Sequence, residues 1–159
     1  QITPFGAAQT VTGSCHLVEH QDFRLLLDCG AYQGADEERN EEPLVSIQGI
    51  DAVLISHAHN DHIGRLPLLV RQGYPGQVYV TEPTRLILPV ILEDSLKLMQ
   101  EERERQERKG REVPLALDEK DLAELYGRLE EITYYQTQSL GPFRYRLRDA
   151  GHLPGSAFI

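Results

Sequence analysis

Ser56-His57-Ala58-His59-Asn60-Asp61-His62-Ile63-Gly64 follows directly on Asp51-Ala52-Val53-Leu54-Ile55, and this stretch decides how the chain is read. The apolar, β-branched run reads as a buried strand. The polar residues then occupy the loop at its C-terminal end, where open α/β sheets carry their chemistry, with a helix to follow. Four candidate metal ligands fall within six residues. In an extended loop His57 and His59 point to one side, because side chains alternate with period two. Two neutral imidazoles so placed can grip one divalent ion at about 2.0–2.1 Å per nitrogen. Asp61 and His62 come where the chain turns into the helix, and so diverge toward a second ion. A carboxylate beside an imidazole suits a zinc that keeps a water ligand.

Outward from this stretch, further motifs accumulate: Gly6-Ala-Ala-Gln-Thr-Val-Thr-Gly13-Ser14-Cys15, Leu27-Asp28-Cys29-Gly30, His62-Ile-Gly-Arg65-Leu66-Pro67 and Gly151-His152-Leu-Pro-Gly-Ser156. The pattern His-x-His-x-Asp-His resembles the signature of the metallo-β-lactamase superfamily. The other motifs resemble its β-CASP branch of RNA-processing nucleases, which includes relatives of the cleavage and polyadenylation endonuclease subunit. The resemblance covers nearly the whole chain. It implies an α/β fold, the αββα sandwich of that superfamily, here a first half with a mixed sheet and outer helices. Residues 1–159 would be the N-terminal part of the domain, with the β-CASP domain and a C-terminal part following. The chain lacks an initiator Met and stops at Ser156-Ala-Phe-Ile159, in what reads as the opening of a strand, so both ends are expected to be cut.

The resemblance also assigns roles. His152 becomes the third nitrogen on the ion held by His57 and His59, and three histidines leave a fourth position open for water. Asp61 and His62 hold a second zinc, completed by a bridging aspartate and a further histidine beyond residue 159. Two Zn2+ are expected in the intact protein, with only the first site well formed here. Hydroxide formed on the ions would attack phosphorus in line, Asp61 acting as the catalytic residue that steers it. Asp28, ending a strand beside Gly30, is expected to accept hydrogen bonds from the ligand loop and orient it. Ser14 and Ser156 either donate to a substrate phosphate or serve their turns. His16, between apolar neighbours, reads as packed rather than ligating, and His20 as a turn residue. The expected activity is zinc-dependent cleavage of RNA phosphodiester bonds. Two rivals stay open: hydrolysis of another small substrate such as a thioester or lactam, and a non-catalytic subunit of an RNA-processing complex.

Composition bounds these readings. With 159 residues the chain has room for one domain with its own core. No apolar run approaches the roughly 18 residues of a membrane span, and Gln1-Ile-Thr-Pro-Phe shows no signal peptide. Cys15 and Cys29, the only cysteines, read as reduced, which points to the cytoplasm. RNA is the expected partner, no membrane is, and a homodimer stays open. The net charge of −9 runs against a nucleic-acid partner. Residues 1–60 hold nine acidic and two basic side chains, yet residues 97–111 hold six basic against four acidic. Bound cations would neutralise part of the acidic half.

Along the chain, Ile2–Phe5, His16–Glu19, Arg24–Leu27, Ala52–Ile55 and Gln77–Thr81 read as strands, with a hairpin turn at Gln21-Asp22. Ile63–Gln72 reads as one helix stopped by Gly73. A second helix opens at Pro83 with an apolar stripe through Leu86, Pro89/Val90, Glu93/Asp94 and Leu96/Lys97, bends or starts late at Pro89, and ends at Gly110. Its charged end offers Glu101–Arg105 and Glu104–Arg108 as pairs one turn apart, on either a solvated extension or a nucleic-acid arm. Asp118 caps a third helix that turns Leu122, Leu125 and Leu129 to one face. Ile132–Gln136 and Phe143–Leu147 read as strands before a loop at Asp149–His152.

Overall fold

The structure, a computed structural model, describes residues 1–44, 48–111 and 117–159, with the backbone alone at Glu41. Strands β1 (Ile2–Gly6), β2 (Cys15–His20) and β3 (Phe23–Leu27) form an antiparallel meander. Gln21-Asp22 makes the second turn, with Gln21 in left-handed backbone at φ 54°. A 3-10 helix at Gly34–Glu41 leads away from β3. Strands β4 (Ala52–Leu54), β5 (Val78–Thr81) and β6 (Leu129–Ile132) then add in parallel, giving a mixed six-stranded sheet in the order β1-β2-β3-β4-β5-β6.

The central strand shows why its sequence is apolar throughout: both faces of the sheet are covered. Val53 and Ile55 join a large core beneath the helices. Ala52 and Leu54 face a smaller core with Leu25, Ile132, Leu140 and Leu147. That second face is covered by the hairpin of β7 (Thr137–Leu140) and β8 (Phe143–Arg146), next to the short pair β9 (Arg148–Asp149) and β10 (Ala157–Phe158). This is an α/β fold with a mixed sheet and outer helices.

Four expectations are corrected. The single helix over 63–72 is two short ones, α1 (Asn60–Ile63) and α2 (Leu66–Arg71). Pro67 stands in the first turn of α2, and the Arg65 amide donates to Cys29 O rather than to a preceding turn. The long helix α3 (Glu82–Arg108) runs through Pro89 and buries Thr84, Leu88, Leu92 and Leu96, while Leu86 and Val90 are 71% and 65% exposed. Its charged end is solvated and pairs Arg103 with Glu107 and Arg105 with Glu102, not the two pairs read from the sequence. Helix α4 (Glu119–Tyr126) carries the expected Asp118 cap, reciprocated by Asp121, and buries Leu122 and Leu125. Leu129, however, opens β6, so that strand lies at 129–132 rather than 132–136. Among the described residues no helix is long and apolar enough to cross a membrane.

Candidate metal centre

The ends of β3 and β4 lie side by side because these strands are parallel, and Asp28 and the ligand loop leave from that edge. Asp28 leaves β3 in left-handed backbone, φ 59°, a conformation aspartate tolerates better than most residues. Its Oδ1 accepts from the Ser56 amide at 2.8 Å, and its Oδ2 from the hydroxyls of Ser56 and Ser14 at 2.9 and 3.0 Å. Oδ2 also lies 2.7 Å from His62 Nδ1. The backbone beyond is zipped to the ligand loop: Cys29 N donates to His62 O, Ala31 N to Asn60 O, and Ser14 N to Asp61 O. Gly30 permits that approach, since a Cβ there would overlap the Asp61 carbonyl.

Three imidazoles meet above this scaffold. His59 Nδ1 lies 3.0 Å from both His57 Nε2 and His152 Nε2, and the three nitrogens fall within 4.8 Å of one another. Ligands at about 2.0–2.1 Å in a tetrahedron stand about 3.3 Å apart, so the spacing fits one ion. The donor set fits too. Burial, with the neighbouring His62, pushes His57 down to about 4, which keeps the ring in its neutral, ligating form. Ser56 Oγ sits 2.9 Å from His57 Nδ1, on the side away from the cluster. His57 is buried, whereas His59 and His152 are exposed, so the cluster has a closed wall and an open front.

His62 and Asp61 form a second, smaller grouping. His62 Nε2 and Asp61 Oδ2 are 3.7 Å apart and both side chains are about a quarter exposed. Burial works to lower the His62 pKa, but its bond to Asp28 and the charges of Asp28 and Asp61 outweigh burial and raise it. Among the described residues only His57, His59 and His152 gather three potential ligand atoms.

His152 is held by its own loop. Ser156 Oγ accepts from the amides of His152 and Leu153, both at 3.1 Å. Gly155, at φ 91°, packs on the start of α3, where its carbonyl accepts from the hydroxyls of Thr81 and Thr84. Ala157 N donates to Ser56 O, which ties the loop to the end of β4. Of the two roles left open for the serines, the bonds present match the structural one: Ser14 and Ser156 are 7% and 1% exposed, Ser14 Oγ donates to Asp28, and Ser156 Oγ braces its own loop at His152. His16 is half-buried on β2, and His20 is exposed with its ring 6.1 Å from Phe143. Sequence reasoning missed Ser56, Thr81 and Thr84. Ser56 had a signal, its place immediately before the histidines; the two threonines had only a helix-capping one.

Residues 9–153 match the family model described as the metallo-beta-lactamase superfamily. This chain belongs to that superfamily. It is 45% identical over 160 residues to ribonuclease TTHA0252 of Thermus thermophilus, covering 100% of this chain and 34% of that protein. It is 35% identical over 161 residues to the transcription termination factor FttA of Methanocaldococcus jannaschii, covering 99% and 24%. Integrator complex subunit 11 of Danio rerio is 39% identical over 106 residues, 62% of this chain and 18% of that protein. The chain thus spans about a third or less of the length of these relatives. Among solved structures, the subclass B3 metallo-beta-lactamase MEM-A1 from a soil metagenome library shares the fold, with a TM-score of 0.55 at 16% identity, over 92% of this chain and 50% of that one. The superfamily protein ST1585 of Sulfolobus tokodaii does so with a TM-score of 0.52 at 22% identity, over 92% and 53%.

Proposed function

We propose that the full-length protein containing this chain is a zinc-dependent ribonuclease of the β-CASP type, hydrolysing RNA phosphodiester bonds in the cytoplasm. The observation that carries the reading is the convergence of His57, His59 and His152, drawn from distant parts of the chain, on a scaffold 45% identical to a protein named a ribonuclease.

In this reading His57, His59 and His152 hold the first zinc. Asp61 and His62 contribute to the second, which takes its remaining ligands from beyond residue 159. When bound, the ions supply positive charge that acidifies water and polarises a phosphoryl oxygen. The protein's part is orientation. Asp28 and Ser56 fix the His62 and His57 rings through their Nδ1 atoms, leaving each Nε2 free to ligate. Asp61, in the first turn of α1, offers a carboxylate that steers the attacking water toward phosphorus. The exposed edges of His59 and His152 form the side on which an RNA phosphate arrives.

The test is cleavage of labelled RNA by the full-length protein, with and without chelator, beside the His59→Ala variant. Cleavage lost to chelator, restored by zinc and absent in the variant is the expected outcome. Undiminished cleavage by His59→Ala would overturn the reading. A lactam and a thioester run in parallel distinguish a ribonuclease from a hydrolase of other small substrates.

A further inference from the structure

At the same end of the sheet, where β1 ends and β2 begins, lies a second feature that the histidine centre does not use. A half-open cavity of about 160 Å³ is lined by Phe5, Tyr32 and Leu44 and by three charged residues, Arg39, Glu42 and Arg65. Arg65 is 7% exposed. Its Nη2 donates to the backbone oxygen of Glu42, and its guanidinium carbon lies 5.5 Å from the centre of the Tyr32 ring. Its Nε is buried without a hydrogen-bond partner, and among the described residues no carboxylate pairs with it. The guanidinium of Arg39 lies 4.2 Å from the centre of the same ring. Glu42 does not supply the missing counter-charge, because its carboxylate is 61% exposed and faces Arg39 at 3.8 Å.

Arg39 also faces Asp36 Oδ1 at 4.0 Å, so surface carboxylates already answer it, and the charge left without a counter-ion among the described residues is that of buried Arg65. A guanidinium taken out of water without a counter-ion is unfavourable, and its planar fork matches the oxygens of a phosphate or carboxylate. The ring of Tyr32 offsets part of that cost but accepts nothing from Nε. The cavity holds roughly five times the liquid volume of a water molecule, room enough for a phosphate group. Its apolar walls strengthen any charge pairing made inside.

We propose that this cavity is an oxyanion site in which Arg65 and Arg39 together bind a phosphate group, either free or terminal on a nucleotide or RNA. The site is separate from the metal centre and does not depend on the hydrolytic reading. The experiment uses full-length protein stripped of metal by chelator, so that no ion at the histidines attracts phosphate and no RNA is cut. Inorganic phosphate is titrated at constant ionic strength, followed by thermal unfolding and phosphorus NMR. The expected result is a saturable rise in Tm that chloride does not reproduce, with affinity at least tenfold weaker in Arg65→Gln and in Arg39→Gln. Arg39 is exposed, so its variant keeps the fold even if Arg65→Gln does not. A nucleoside 5′-monophosphate and a 5′-phosphorylated RNA, titrated in parallel, distinguish the sources: tighter binding than inorganic phosphate assigns the site to a terminal phosphate, equal binding to the free ion. No saturable response in the unaltered protein, or an unchanged response in Arg39→Gln, overturns the proposal.

Discussion

Asp28 shows how one side chain governs several others. It accepts from two residues of the ligand loop, Ser56 and His62, and from Ser14 across the sheet edge. Asp28→Asn keeps the shape but puts an amide NH2 against donors that need an acceptor. A 10- to 100-fold loss of zinc affinity, roughly the cost of disturbing a ligand's orienting partner, is expected from zinc titration of the metal-free protein; unchanged affinity would remove Asp28 from its role. Gly30 makes a sharper case. Gly30→Ala forces a methyl into the Asp61 carbonyl, and backbone cannot yield as a flexible side chain does. Destabilisation of about 3 kcal/mol, at the upper end for overpacking, is expected in urea unfolding. The bonds of Asp28 to the loop were legible because a carboxylate ending a buried strand must find donors close by. For Ser14 and Ser156 the choice between a phosphate contact and a turn role stayed open, since a hydroxyl in a glycine-rich loop points wherever the tertiary fold turns it.

At the scale of elements, β1 to β5 and β8 were legible in their order, β6 was misplaced and β7 went unread, and the helix faces were harder still. The first half of α3 carries Leu86, Ile87, Leu88, Val90, Ile91 and Leu92, which spread around the axis, so periodicity alone cannot select a face. Docking onto the sheet selects Leu88, Leu92 and Leu96, one turn apart. The two faces are expected to respond differently to truncation. Leu92→Ala should cost about 2–5 kcal/mol as a core cavity, whereas Leu86→Ala, at a solvent-facing position, should stay within about 0.5 kcal/mol. Denaturant unfolding of the two variants reads the difference, and equal losses would mean that α3 packs otherwise. The break between α1 and α2 had a sequence signal in Pro67, whose missing amide prevents one continuous helix. The stripe from Leu122 to Leu129 misled for another reason: Gly127 ends the helix at its C-cap, so the last leucine passes into β6.

Across the whole molecule, the centre joins parts of the chain that local structure keeps separate: His59 and His152 are 93 residues apart in sequence, yet their ring nitrogens nearly touch. The His152 loop reaches the cluster through Ser56, through the threonines at the start of α3, and through Tyr134, whose hydroxyl donates to Ser156 O. An ion bound by all three histidines would therefore staple the first half of the sheet to the end of the chain, and a ligand that binds only the folded state stabilises it by mass action. Zinc at 100 times its dissociation constant should add about 2.7 kcal/mol, which for a domain of this size raises Tm by roughly 5–10 °C. His152 is exposed, so His152→Ala should leave the metal-free protein within about 0.5 kcal/mol of the original. With one of three ligands gone, most of the zinc-induced rise should vanish. Calorimetry of both proteins with chelator and with zinc separates these contributions. A variant that keeps the full zinc-induced rise would show that the ion is held without residue 152, and the triad would no longer be the unit that binds it.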